Sequence, residues 1–170
     1  FEILYLTDDV DDFIMRQLGS YEDIKFCNIT NDDLGLESDE EKSEADKKQD
    51  EYREILDFVK ETLGGSIVDV RISHKLKSHP VYLTSDGDIS IEMEKYFAVM
   101  KNEAAQNIKA KRVLELNSEH HAFKALEEAY KTDREKAEKL AKILLSQGLL
   151  IAGLPLENAA EYTELICQLF

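Results

Sequence analysis

Ile143-Leu144-Leu145-Ser146-Gln147-Gly148-Leu149-Leu150-Ile151-Ala152 is the stretch on which the reading of the fold turns. Its apolar residues cover nearly the whole circumference of a helix, so that helix must be buried on more than one side. Gly153-Leu154-Pro155-Leu156 breaks it, and Asn158 with Glu161 forms an N-cap pattern for a second helix carrying Tyr162, Leu165, Ile166, Leu169 and Phe170. Two consecutive helices cannot bury this much apolar surface alone. The expectation is a two-fold four-helix bundle, two helices from each of two identical chains. Its contact residues are expected to be Leu140, Ile143, Leu144, Gly148, Leu149, Ile151, Leu165, Ile166 and Leu169. A glycine inside a helix costs about 1 kcal/mol, which makes sense at Gly148 if backbones approach closely there.

Working upstream, helices are expected at about 89–108, 119–131, 134–152 and 159–169. Val68, Val70 and Ile72 alternate, as do Val81 and Leu83, and residues 73–80 join them as the long loop of a hairpin. A third strand is expected at Arg112–Leu116, and strands mixed with helices on an antiparallel core indicate an α+β domain over residues 65–170. Residues 37–64 read as a charged linking helix, opened by Ser38 with Glu41 and closed by Gly64-Gly65. Tyr52, Ile55, Leu56, Val59 and Leu63 form its apolar stripe.

Residues 1–36 read as strand, helix, strand. The alternation of Ile3, Leu4, Tyr5 and Leu6 is followed by Val10, Phe13, Ile14 and Leu18 at helical spacing, then Gly19 and a second strand from Ile24 to Ile29. Such a unit implies a parallel pair with a right-handed crossover. It is too small to cover both faces of its sheet, so it is expected to be the end of an upstream α/β domain. The chain does not start with Met, which fits a piece of a longer protein.

Charge excludes several function classes. Lys and Arg total 21 against 36 Asp and Glu, a net charge of -15. Such a surface repels phosphate backbones and anionic membranes. No apolar run approaches the roughly 20 residues of a membrane span. Cys27 and Cys167 lie far apart without a C-x-x-C motif and fit the buried thiols of a reducing, cytoplasmic compartment.

Catalytic patterns find little support. Thr7-Asp8-Asp9-Val10-Asp11-Asp12 at a strand end is the sharpest candidate, because clustered carboxylates hold Mg²⁺ in phosphohydrolases and Asp86-Gly87-Asp88 offers a later ligand. On that reading Asp9 and Asp11 carry the metal. The simpler reading is that Thr7 or Asp8 caps the helix and the remaining acids favour its N-terminal dipole. His74, His79, His120 and His121 have no i, i+4 pairing and no companion cysteines, so they make no metal site. No G-x-S-x-G, P-loop or G-x-G-x-x-G occurs. The chain is expected to be non-catalytic.

A binding face is clearer. Ile89, Met93, Tyr96, Phe97 and Met100 fall on one helical face, and methionines with aromatics form an adaptable surface for varied apolar partners. Such a stripe is also what an ordinary core helix shows. A dimeric scaffold or adaptor domain is therefore the competing class.

Several motifs resemble the ninety-kilodalton heat-shock chaperone family. Leu4-Tyr5-Leu6-Thr7-Asp8 with Asp11 is similar to a strand-to-helix junction near the end of that family's middle domain. Val70-Arg71-Ile72-Ser73-His74-Lys75-Leu76, Glu115-Leu116-Asn117 and Leu144-Leu145-Ser146-Gln147-Gly148-Leu149-Leu150 resemble its C-terminal domain, in collinear order across essentially the whole chain. Departures from the family pattern are Ser118 and His121 where prolines are usual, Phe97 where Met is frequent, Gly148 for Ala and Ala159 for Pro. The resemblance implies an ATP-dependent chaperone working as a dimer through the C-terminal helix pair, with ATP and Mg bound in an N-terminal domain and no cofactor in this part. It also implies that the helix carrying Met93 and Phe97 touches unfolded clients, that a DnaK-type chaperone system is a partner, and that the bacterial, cytoplasmic type is the better match.

Overall fold

The computed structural model describes residues 2–8, 10–29, 46–101 and 107–169. The elements in its first half are α1 (Asp11–Leu18), β1 (Ser20–Tyr21), β2 (Ile24–Lys25), α2 (Arg53–Leu63) and β3 (Asp69–Ile72). There follow β4 (Val81–Asp86), α3 (Ile91–Val99), β5 (Lys111–Leu116), α4 (His121–Thr132), α5 (Arg134–Ile151) and α6 (Ala159–Cys167). The mixture of helices with small sheets is the expected α+β class. The chain divides into two compact units: Phe1–Leu36 with Ser85–Lys111, and Glu37–Thr84 with Arg112–Phe170.

In the second unit the sheet order is β3-β5-β4. β5 runs parallel to β3, with Asp69 opposite Val113 and Ile72 opposite Leu116. The Asn117 amide donates to the Pro80 carbonyl at 2.9 Å, which sets the end of β5 beside the start of β4 and makes that pair antiparallel. The expected β3–β4 hairpin is therefore wrong. The reason is legible in burial: Arg112, Val113, Leu114 and Leu116 are all buried, so β5 is covered on both faces and sits in the middle. β3 alternates buried Val70 and Ile72 with exposed Arg71, as a strand with one wet face does.

The helices around this sheet follow their sequence signals closely. Ile55, Leu56, Val59 and Leu63 of α2 are buried, and the helix ends at Gly64, whose φ of +52° suits glycine. Residues 46–51 are also helical. Asp133 caps α5 by accepting the Lys136 amide, and Asn158 caps α6 by accepting the Glu161 amide at 3.0 Å. His120 caps α4 through Nδ1, which accepts the Ala122 amide at 3.1 Å. Phe123, Leu126, Ala137, Ala141 and Leu144 fill the space between α2, α4, α5 and the sheet. Ser38 and Glu41 lie outside the described residues.

The first unit departs further from expectation. Residues 2–7 form no strand, and Ile3, Leu4, Tyr5 and Leu6 are exposed. Alternation specifies a shape that suits a strand, but the strand exists only when a neighbour accepts its backbone hydrogen bonds. Among the described residues none does. The expected parallel strand at 24–29 is instead the two-residue β2, paired antiparallel with β1. Glu22 (φ 47°) and Asp23 (φ 65°) are both left-handed and make the tight hairpin turn. A Glu-Asp pair lacks the Asn-Gly signal of such turns, so the sequence hides it.

Candidate functional site

α3 carries Met93, Tyr96 and Phe97 of the expected Met-aromatic stripe, while Ile89 precedes the helix and Met100 follows it. It begins at Ile91, because the Ser90 hydroxyl accepts the Met93 amide at 3.0 Å and caps the helix there. It ends at Val99, with Met100 already extended, rather than continuing to 108. Ser90 is buried and also donates to Asp12 Oδ2 at 2.6 Å, tying α3 to α1. The buried Glu94 carboxylate accepts the Ala110 amide at 3.0 Å and so fixes the returning chain against the same helix.

Ile89, Met93, Tyr96, Phe97 and Met100 are all half-buried. Their cover includes a residue that sequence reasoning did not connect to them. Phe13 of α1 meets Tyr96 edge-on at 5.4 Å and Phe97 at 5.6 Å. Edge-to-face pairs of this kind are worth about 1 kcal/mol beyond burial. Phe13 was visible as part of an apolar stripe, but no local pattern could say that its partner lay some eighty residues away. Val99 points outward and is 75% exposed.

The acidic junction before α1 is built to hold its own backbone. The helix N-cap is Val10, without a side-chain cap, so neither Thr7 nor Asp8 fills the role expected of it. Asp11 Oδ2 instead accepts the amides of Thr7 and Asp8 at 2.9 and 3.0 Å. Asp12 takes Arg16 at 3.0 Å as well as Ser90. Asp9 lies outside the described residues. Among the described residues no three His, Cys, Asp or Glu side chains converge as a metal site would require.

α5 and α6 form the other candidate surface. Leu140, Ile143, Leu144, Gly148 and Leu149 are buried within this chain, where α5 packs on α2, α4 and α6. A Cβ on Gly148 would stand 3.2 Å from Leu83 Cγ and 3.4 Å from Leu114 Cδ1, so the close approach at this glycine is to the chain's own sheet. Ile151 and Leu169 are exposed at 41% and 39%, and Leu165, Ile166 and Tyr162 are half-buried. Leu150, outside the expected set, is 50% exposed beside Ile151. α6 contains no buried residue at all.

Comparison with known proteins settles the family. The family model described as Hsp90 protein matches residues 1–170. The chain belongs to the Hsp90 protein family. Curated relatives of this Hsp90-family chain include the chaperone protein HtpG of Bacillus subtilis, 39% identical over 168 residues. Those of Clostridium acetobutylicum and Natranaerobius thermophilus are each 42% identical over 169 residues. In all three the match covers 99% of this chain and 26% of the relative, so the chain spans about a quarter of their length. Among its described residues no helix is long and apolar enough to cross a membrane.

Proposed function

We propose that this chain is the dimerising, client-contacting part of a cytoplasmic Hsp90 chaperone. Residues 65–170 would form the dimerisation domain and residues 1–36 the end of the preceding one. The observation that carries the reading is α6. It bears Tyr162, Leu165 and Ile166, with Leu169 just beyond its end, yet none of its residues is buried, and Leu150 and Ile151 stand exposed at the end of α5. A helix with that apolar content, packed among the described residues chiefly on α5, has room for a second partner. A second copy of the chain supplies one by two-fold symmetry, giving a four-helix bundle. ATP and Mg belong to another part of the chaperone, and a DnaK-type system is its proposed partner. That the relatives are chaperone proteins supports the same reading.

The dimer test must spare α5, because Ala137, Ala141 and Leu144 are core residues and truncation before Arg134 would unfold the unit. Leu150→Glu with Ile151→Glu changes exposed positions only. Light scattering should give a dimer mass for the parent chain and a monomer mass for the variant, with unchanged circular dichroism. A variant that stays dimeric refutes this interface.

Client contact is assigned to α3 and its flanks, at Ile89, Met93, Tyr96, Phe97 and Met100. Met93→Ser with Met100→Ser should weaken binding of a permanently unfolded, carboxymethylated polypeptide by about ten-fold, the scale of losing a contact of 1–2 kcal/mol. Titration by fluorescence anisotropy measures it. Undiminished binding would return α3 to the role of a structural helix, as in a plain dimeric scaffold.

A further inference from the structure

The loop between β3 and β4 stands apart electrostatically. From Arg71 to Ser85 there is no Asp or Glu, although the chain holds 36 of them in 170 residues. The same stretch carries Arg71, His74, Lys75, Lys77 and His79, all exposed. Among the described residues, neither Lys75 nor Lys77 forms an ion pair, in contrast to Lys48, Lys60, Lys131, Lys139 and Lys142. The amides of Lys75, Leu76, Lys77, Ser78 and His79 likewise donate to no acceptor among the described residues.

The loop is nonetheless held in place. The buried Asn117 side chain donates through Nδ2 to the carbonyls of Lys77 at 3.3 Å and His79 at 3.1 Å. Its own amide donates to Pro80, and its Oδ1 accepts the Glu119 amide. The carbonyls of Lys77 and His79 are thus occupied, while among the described residues the amides of residues 75–79, the two ammonium groups and the Ser78 hydroxyl donate to no acceptor. Donors fixed in advance lose less entropy on meeting an acceptor than donors on a mobile tail.

We propose that residues 74–79 form a docking loop for a short carboxylate-rich segment of a partner protein. Ionised donors and acceptors make the strong, short hydrogen bonds such recognition needs. Acids around the loop are engaged by groups of this chain, and Glu115 accepts the hydroxyls of Ser73 and Thr84. Lys48 hydrogen-bonds Glu119 and, with its charge, holds that carboxyl below its ordinary range. Partial burial works to raise the Asp69 carboxyl, but Lys60 and Arg71 hydrogen-bond to it and bring its pKa below the usual value. The extent of the patch selects a short segment over a nucleic acid. A long polyanion leaving the loop would run onto a chain of net charge -15, whereas a few carboxylates stay within one screening length of about 8–10 Å.

The test uses the whole chain and a fluorescein-labelled hexaglutamate peptide, followed by anisotropy. The peptide should bind at about 50 mM salt and weaken several-fold by about 300 mM. Lys75→Glu with Lys77→Glu should weaken it about ten-fold or more at the lower salt, without changing the melting temperature. The exposed pair Lys131→Glu with Lys136→Glu serves as the control and should leave affinity within about two-fold. Absent binding, equal loss in the control, or tighter binding of a hexanucleotide than of the peptide would each overturn the proposal.

Discussion

Phe123→Ala should lower the stability of the second unit by about 4 kcal/mol, the range for emptying a buried aromatic site, and its melting temperature by roughly 10 °C. Phe123 is the largest of the fully buried side chains, 1% exposed on the core face of α4. Its ring meets Tyr52 edge-on at 4.9 Å, so it joins α4 to the start of α2 as well as filling volume. Leu126 and Ala129 continue the same buried face and cannot slide into the gap without dragging the helix. Tyr52 gains nothing from the loss. Its hydroxyl is already held above the ordinary phenol range by burial, with the negative charges of Glu51, Glu127 and Glu119 adding to that shift. Phe123→Leu keeps most of the volume and should cost about 1 kcal/mol. Calorimetry on both variants checks the pair, and a drop of under about 1 kcal/mol for the alanine variant would mean that the site collapses far more readily than its packing implies.

The two ends of the chain were not equally legible, and the difference is physical. α5 announced itself because its apolar residues cover nearly the whole helix circumference, and α6 because its cap, Asn158 with Glu161, is a local pattern of four residues. Gly64 marked the end of α2 for the same reason. The sheet was harder. Three strands were placed where they occur, yet their order depends on which one is covered on both faces, and that is a property of the whole assembly. β5 carried the clue in Val113, Leu114 and Leu116, but Arg112 and Glu115 broke the apolar run that marks a central strand. Glu115 sits there because Ser73, just past the end of β3, and Thr84 of β4 donate to its carboxylate at 2.7 and 3.2 Å. The candidate surfaces show the same divide. A helix within 89–100 was readable from period alone, though Ile89 and Met100 fall outside it, whereas the Phe13 and Asp12 contacts that hold it are long-range.

Gly148 separates two roles that its sequence context does not distinguish. If the glycine serves contact between chains, a large side chain there should break the dimer and leave each monomer folded. Its surroundings argue otherwise, since the missing Cβ points at Leu83 and Leu114 of the same chain. Gly148→Leu would place a branched side chain into a gap that already admits a Cβ only at 3.2 Å. Overpacking of that kind should cost about 3 kcal/mol, read as a melting transition roughly 5–10 °C lower. Gly148→Ala behaves differently. The helix gains up to about 1 kcal/mol from the better helix former, while the Leu83 side chain must shift by a few tenths of an ångström to admit the methyl group. These terms oppose each other, so stability should change by less than about 1 kcal/mol. Calorimetry with light scattering on both variants decides the matter. Lowered stability with the dimer retained near room temperature places the glycine against the sheet, and a folded monomer of parental stability would place it in the interface.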